Sequence, residues 1–147
     1  MRIYLDVSCL DRPFDDLRQV RNRLEAEAVA IVFQRFADGS CLHVSSDMVL
    51  IEVAAMPDLD RQRQVRAILP DSDDIIALSS GILRRAGELT ALGFQPADAT
   101  HVAAAEAQKA DVLLTCDDKL VRRVRRVGGL LAVVVDNPLA WIRRLPP

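Results

Sequence analysis

Asp6, Glu52, Asp98 and Asp117 each lie beside an apolar run, just past an expected strand or in the opening turns of an expected helix. Carboxylates gathered in one place repel one another unless a cation is shared between them. A set made only of oxygen donors suits a hard divalent ion.

Taken singly, these acids have ordinary explanations. Asp6 can serve as a turn or cap residue. Asp98 falls in the first turn after Pro96, where the helix macrodipole favours an acid. His101, one turn on, can hydrogen-bond it or pack as a core histidine. Asp117 can cap the following helix, although its neighbour Asp118 is enough for that job. Glu52 is harder to dismiss, because every other residue from Met48 to Met56 is apolar. A carboxylate in such a stripe is expected to face the core, where an unpaired charge costs several kcal/mol. It needs a partner, either an arginine such as Arg2 or Arg12 or a bound ion. Together the four fall at the ends of the first and fourth strands and at two helix starts opening on the same rim.

The elements that bring them there follow from pattern. Arg2 to Leu5 reads as a strand ending at Asp6, and Asp11-Arg12-Pro13 as a loop. A helix is expected from Leu17, capped by Asp15 or Asp16, with Ala26 to Phe33 apolar nearly all round and so buried on more than one side. Cys41 to Val44 is the second strand, followed by a helix from Ser46 or Asp47 to Pro57 and a charged helix from Asp60 to Leu69. Ile75 to Leu78 is the third strand. Ser79 or Ser80 opens the next helix, which exits at Gly93, and Pro96 starts another that runs to about Lys109. Asp111 to Thr115 is a buried strand, and a helix from Asp118 to Val127 breaks at Gly128-Gly129. Leu130 to Val135 is the last strand, continuously apolar and expected to be covered on both faces. Asn137-Pro138 starts a closing helix. The expected fold is α/β: a three-layer α/β/α domain over residues 1–147 with a mostly parallel five-stranded sheet. Such sheets carry their sites beyond the carboxyl ends of the strands.

Composition narrows the function. With 4% aromatic residues the chain is no base-stacking platform, and at a net charge of −2 any contact with a polyanion must come from a local basic patch. Arg122, Arg123, Arg125 and Arg126 supply one candidate: Arg122 and Arg126 share a helix face and can grip a phosphate backbone. Arg12 is a lesser candidate for the same role. The cysteines Cys9, Cys41 and Cys116 and the histidines His43 and His101 match no zinc-ligand spacing. No apolar run is long enough to cross a bilayer, and no leader is apparent, so a cytoplasmic protein is expected.

Four short motifs in order carry a resemblance. Asp6 is followed by Ser8, Glu52 lies on a helix led by Ser46, Asp98 opens the alanine-rich run Ala97 to Ala105, and Thr115-Cys116-Asp117 closes the fourth strand. Over nearly the whole chain this resembles the PIN-domain nucleases, including VapC-type toxin ribonucleases. The resemblance implies a Mg²⁺- or Mn²⁺-dependent ribonuclease. In that reading Asp6, Glu52 and Asp98 are the primary metal ligands, and Asp117 is a second-site ligand or a holder of water. Ser8, Thr115 and Asp118 stand behind them as hydrogen-bonding support. It also implies an RNA substrate, an antitoxin partner and a homodimer. The alternative is a PIN-like domain kept as a catalytically silent RNA-binding or scaffold module. Two other chemistries are disfavoured. A phosphoacceptor receiver would place a lysine after the last strand, where Asp136-Asn137-Pro138 stands. A haloacid-dehalogenase-type phosphatase would show Asp-x-Asp where Asp6-Val7-Ser8 stands.

Overall fold

The computed structural model, described over residues 1–146, contains strands β1 (Arg2–Leu5), β2 (Leu42–Ser46), β3 (Ile75–Ile76), β4 (Val112–Leu114) and β5 (Val134–Asp136). The helices are α1 (Val7–Asp11), α2 (Val20–Ala37), α3 (Asp47–Ala54), α4 (Leu59–Arg66), α5 (Ser80–Ala91), α6 (Pro96–Ala107), α7 (Asp118–Val127) and α8 (Pro138–Arg143). All strand pairs are parallel, in the order β3-β2-β1-β4-β5. The chain winds outward from β1 to β3, then returns to β4 on the other side of β1. That reversal opens a crevice between the carboxyl ends of β1 and β4, the usual place for a site in an open α/β sheet. The Asp6 amide donates to the Leu114 carbonyl across it.

The sheet lies between helical layers, as the three-layer expectation had it. Ile3, Tyr4 and Leu5 are fully buried, as are Leu113 and Leu114, so β1 and β4 are covered on both faces. Burial of such a leucine or isoleucine stabilises by about 1.5–3 kcal/mol. Helix starts follow local chemistry. Ser46, Ser79, Asp117 and Asn137 accept from backbone amides at the heads of α3, α5, α7 and α8, and Pro96 occupies the first turn of α6. Gly93 leaves α5 with φ +100°, a conformation that side chains rarely adopt.

Several expectations are corrected. The Asp11-Arg12-Pro13 segment is helical, because Asp6 caps α1 and a 3-10 turn over Arg12–Phe14 continues it. The next helix begins at Val20 rather than Leu17, with Gln19 at its cap instead of Asp15 or Asp16. Ala30 and Ile31 are exposed, so α2 buries one face only. The last strand is an edge of three residues with Val134 60% exposed: an apolar run does not guarantee a cover when no further strand pairs with it. Among the described residues no helix is long and apolar enough to cross a membrane.

Candidate active site

Asp6 ends β1 and is buried at the mouth of the β1–β4 crevice. One carboxylate oxygen accepts from the Ser8 hydroxyl at 2.5 Å and the Cys9 amide at 3.1 Å; the other accepts from the Thr115 hydroxyl at 2.5 Å. Burial raises its pKa, and these donors oppose that rise by stabilising the anion. Ser8 also receives the Cys116 amide at 2.9 Å, so the turn after β4 is tied to the turn after β1. Thr115 accepts the Asp117 amide at 3.1 Å. Ser8 and Thr115 thus both donate to the Asp6 carboxylate.

Asp98, in the first turn of α6, is only partly buried. Its pKa is raised to about 6, first by desolvation and then by the charges of Asp117, Asp6 and Glu52, with His101 opposing. Asp98 thus feels the charges of the three other acids. Asp117 caps α7 with one oxygen, which accepts the Lys119 amide at 2.9 Å. Asp118 turns away. Its carboxylate is bidentate to Arg21, at 2.7 and 2.8 Å, and this pairing holds its pKa below the usual range. Of the doubled aspartates, Asp117 is the one whose charge acts on Asp98.

Glu52 does not pair with Arg2 or Arg12, and its stripe is not wholly interior, since Leu50 and Ile51 on α3 are exposed. Its carboxylate meets His101 Nε2. His101 Nδ1 lies 2.7 Å from the Tyr4 hydroxyl, which lies 2.7 Å from Ser46 Oγ, which accepts the Met48 amide at 3.2 Å. Burial pushes the Tyr4 pKa upward, so it remains a hydroxyl and can donate to Nδ1. Nε2 then carries the ring proton and donates to Glu52, while Ser46 donates to Tyr4. Every member of this chain is satisfied, and it fixes Glu52 from behind. His101 thus bonds Glu52 rather than Asp98. Tyr4 escapes notice in the sequence because it reads as one more apolar residue of β1. The available signal is a hydroxyl inside an otherwise aliphatic strand.

The basic residues divide. Arg12 is half-buried among Asp15, Asn22 and Glu25. Arg122 and Arg126, with Arg123 and Lys119, line a pocket of about 230 Å³ completed by Gly93, Phe94, Gln95, Asp98 and Leu120. Spacing along the helix does not single out Arg123 and Lys119 as anion ligands. Among the described residues, no three His, Cys, Asp or Glu side chains stand close enough to enclose an ion.

Known proteins were compared with the chain. No curated protein matches it. Among solved structures, a chain from VapBC2 of Rickettsia felis, bound to a DNA fragment from its promoter, shares the fold. It aligns at a TM-score of 0.60 with 18% identity, covering 93% of this chain and 98% of that one. The PIN domain family matches residues 3–127. That match runs from the second residue of β1 to the last of α7, spanning every acid described above, and the chain belongs to the PIN-domain family.

Proposed function

We propose that the protein is a divalent-metal-dependent endoribonuclease, the toxin of a toxin–antitoxin pair, with Asp6, Glu52, Asp98 and Asp117 as its active-site acids. The observation that carries this reading is geometric: Asp6 at the end of β1 and Asp117 after β4 are tied together through Ser8 and Thr115, with Asp98 at the head of α6. The direction of the Asp98 pKa shift agrees with it. His101 offsets the negative charge in part, since it acts on Asp98 in the opposite sense and bonds Glu52, while the three other acids all act to raise the Asp98 pKa. An all-oxygen donor set fits Mg²⁺ or Mn²⁺, and the lack of a closed cage fits Mg²⁺, which keeps several waters and binds through one or two carboxylates plus substrate phosphate. Asp6, Glu52 and Asp98 would hold the ion. When bound, it supplies Lewis acidity at the phosphate and lowers the pKa of water.

The protein's own groups do the positioning. Ser8, Thr115 and the Cys9 amide aim the Asp6 carboxylate, and the Tyr4–His101 pair aims that of Glu52. The Asp117 oxygen not used in capping α7 is free to orient the attacking water and take its proton. Arg122 and Arg126 hold the RNA backbone against this edge. Residues 1–147 act as one domain in this reading, in a cytoplasmic homodimer. The Rickettsia felis complex supports an antitoxin partner, which would silence the site by setting an arginine among the carboxylates.

Incubating a mixed RNA pool, with DNA of the same sequences alongside, in Mg²⁺, Mn²⁺ or EDTA tests the assignment. Metal-dependent RNA cleavage that disappears in Asp6→Asn is expected. Cleavage that persists at full rate in Asp6→Asn would assign it to another site or a contaminant. The second reading, a silent scaffold, is favoured by the hydrogen bonds that already satisfy Asp6 and Glu52. Metal-independent RNA binding without cleavage would establish it.

A further inference from the structure

We infer that the pocket between α7 and the Gly93–Gln95 loop is a dedicated site for the RNA phosphate adjoining the one that is cut. The inference rests on the nuclease reading and adds to it a substrate requirement: a second phosphate next to the scissile bond.

The charge pattern is the first argument. Among the described residues Arg12, Arg21, Arg61 and Arg85 are ion-paired, while Arg23, Arg35 and Arg84 are among those that are not. One unpaired arginine is therefore ordinary here, and four unpaired cations on one cavity are what stands out. In a chain of net charge −2, the four cations lining this pocket form no ion pair among the described residues. The macrodipole accounts for Arg126 in the last turn of α7, but it disfavours Lys119 in the first turn and does nothing for the residues between. Like charges lining one small cavity call for an anion.

The backbone of the loop makes the second argument. A Cβ on Gly93 would stand 3.0 Å from Arg123 Nη1 and 3.3 Å from its Cζ. Gly93, which its φ of +100° already requires, leaves room for the Arg123 guanidinium to lie against the loop, where it forms no ion pair among the described residues. A guanidinium placed there can make two parallel bonds to a phosphate. Asp98 is the third argument, because it belongs both to the pocket wall and to the acid group. A phosphate bound by Arg123 and Lys119 thus neighbours the reacting one. Phe94 is buried and offers no ring face to a base, so the pocket reads phosphate and not sequence.

Binding and cleavage test this separately. In EDTA, fluorescence anisotropy of a short labelled single-stranded RNA reads binding alone. Arg123→Gln and Lys119→Gln should each weaken binding roughly fivefold to twentyfold and lower the salt slope by about 0.7, the loss of one single-strand phosphate contact. Arg125→Gln, the same charge change outside the pocket, should do neither, and Arg123→Lys should restore the slope. With metal, a dinucleoside monophosphate is compared with the same molecule carrying a 5′- or a 3′-terminal phosphate. One of the two phosphates should raise kcat/KM about tenfold in the wild type and not in Arg123→Gln. Equal losses in Arg123→Gln and Arg125→Gln, undetectable binding by the wild type, or equal gains from the added phosphate in both enzymes would overturn the pocket. Binding with the expected slopes but no cleavage of any RNA would overturn the nuclease reading and leave the pocket standing.

Discussion

Replacing Asp98 by asparagine should stabilise the metal-free protein, and the size of the effect follows from the site. Folding lifts the carboxyl from 3.8 to about 6. At about 1.4 kcal/mol per pH unit this is roughly 3 kcal/mol of penalty on the ionised form. The group is only about half withdrawn from water, so screening reduces the figure to about 1.5 kcal/mol. Among the described residues Asp98 makes no side-chain hydrogen bond for asparagine to lose, but it does sit in the first turn of α6, where a negative charge is worth about 0.5 kcal/mol. The net gain is about 1 kcal/mol, or a rise in Tm of about 2–4 °C for a domain of this size. The sign fixes the pH window. A carboxyl whose folded pKa is raised destabilises fully above that pKa, and the penalty fades as pH falls towards the unfolded value. Calorimetry in EDTA should therefore show the advantage of Asp98→Asn complete above about pH 7, half lost near pH 5 and absent below about pH 4. Millimolar Mg²⁺ should raise the wild-type Tm at pH 8 and raise that of the variant less. An advantage constant from pH 4 to 8, or none at pH 8, would refute the idea that uncompensated negative charge gathers at this rim.

Three further outcomes are expected. Tyr4→Phe leaves His101 Nδ1 and Ser46 without their buried partner; thermal melts should show a loss of about 1–3 kcal/mol, and Mn²⁺ affinity by calorimetry should fall as Glu52 loses its anchor. Asp117→Asn should cut RNA cleavage at least tenfold, whereas Asp118→Asn, which only releases Arg21, should leave the rate within about twofold. His43 is buried and stacked on Phe36 at 4.7 Å, and burial lowers its pKa to about 4. Folding disfavours its protonation, so stability is lost as pH falls from about 6.5 to 4, and His43→Phe should gain about 2 kcal/mol relative to wild type between pH 8 and pH 5; equal differences at both pH values would rule that out.

The positions of Asp6, Asp98 and Asp117 along the chain were legible because each follows a strand or opens a helix with its own local signal. Glu52, near the far end of α3, stood out only as an acid in an apolar run. Continuous apolar runs marked β1 and β4, and the caps Ser46, Asp117 and Asn137, together with Pro96, marked the helix starts. Pairwise contacts were not legible, because no spacing rule joins α3 to α6. Glu52 and His101 belong to different helices, and either could have been given another partner on composition alone. Asp117 and Asp118 are chemically identical neighbours, and only their orientation at the head of α7 separates a rim acid from a partner of Arg21. α1 was invisible because five residues are too few to display a period. The edge position of β5 depends on strand order, which apolar content does not encode.

The two sides of the crevice differ in how firmly their acids are held, and the difference bears on ion binding. Asp6 is locked by three donors that come from both strand ends, so moving its carboxylate means breaking the ties between the β1 and β4 turns. Asp98 has no such bonds and carries the repulsion of its neighbours in its raised pKa. Asp6 therefore supplies a fixed point, while the gain in free energy on binding a cation comes mainly from Asp98, whose charge is the least compensated before the ion arrives. It follows that Ser8→Ala and Thr115→Val should disturb the geometry of catalysis more than metal affinity, lowering kcat with little change in the metal concentration needed. Asp98→Asn should instead raise that concentration. A metal titration of activity in which Ser8→Ala and Asp98→Asn shift the midpoint equally would show that the two sides do not divide the work in this way.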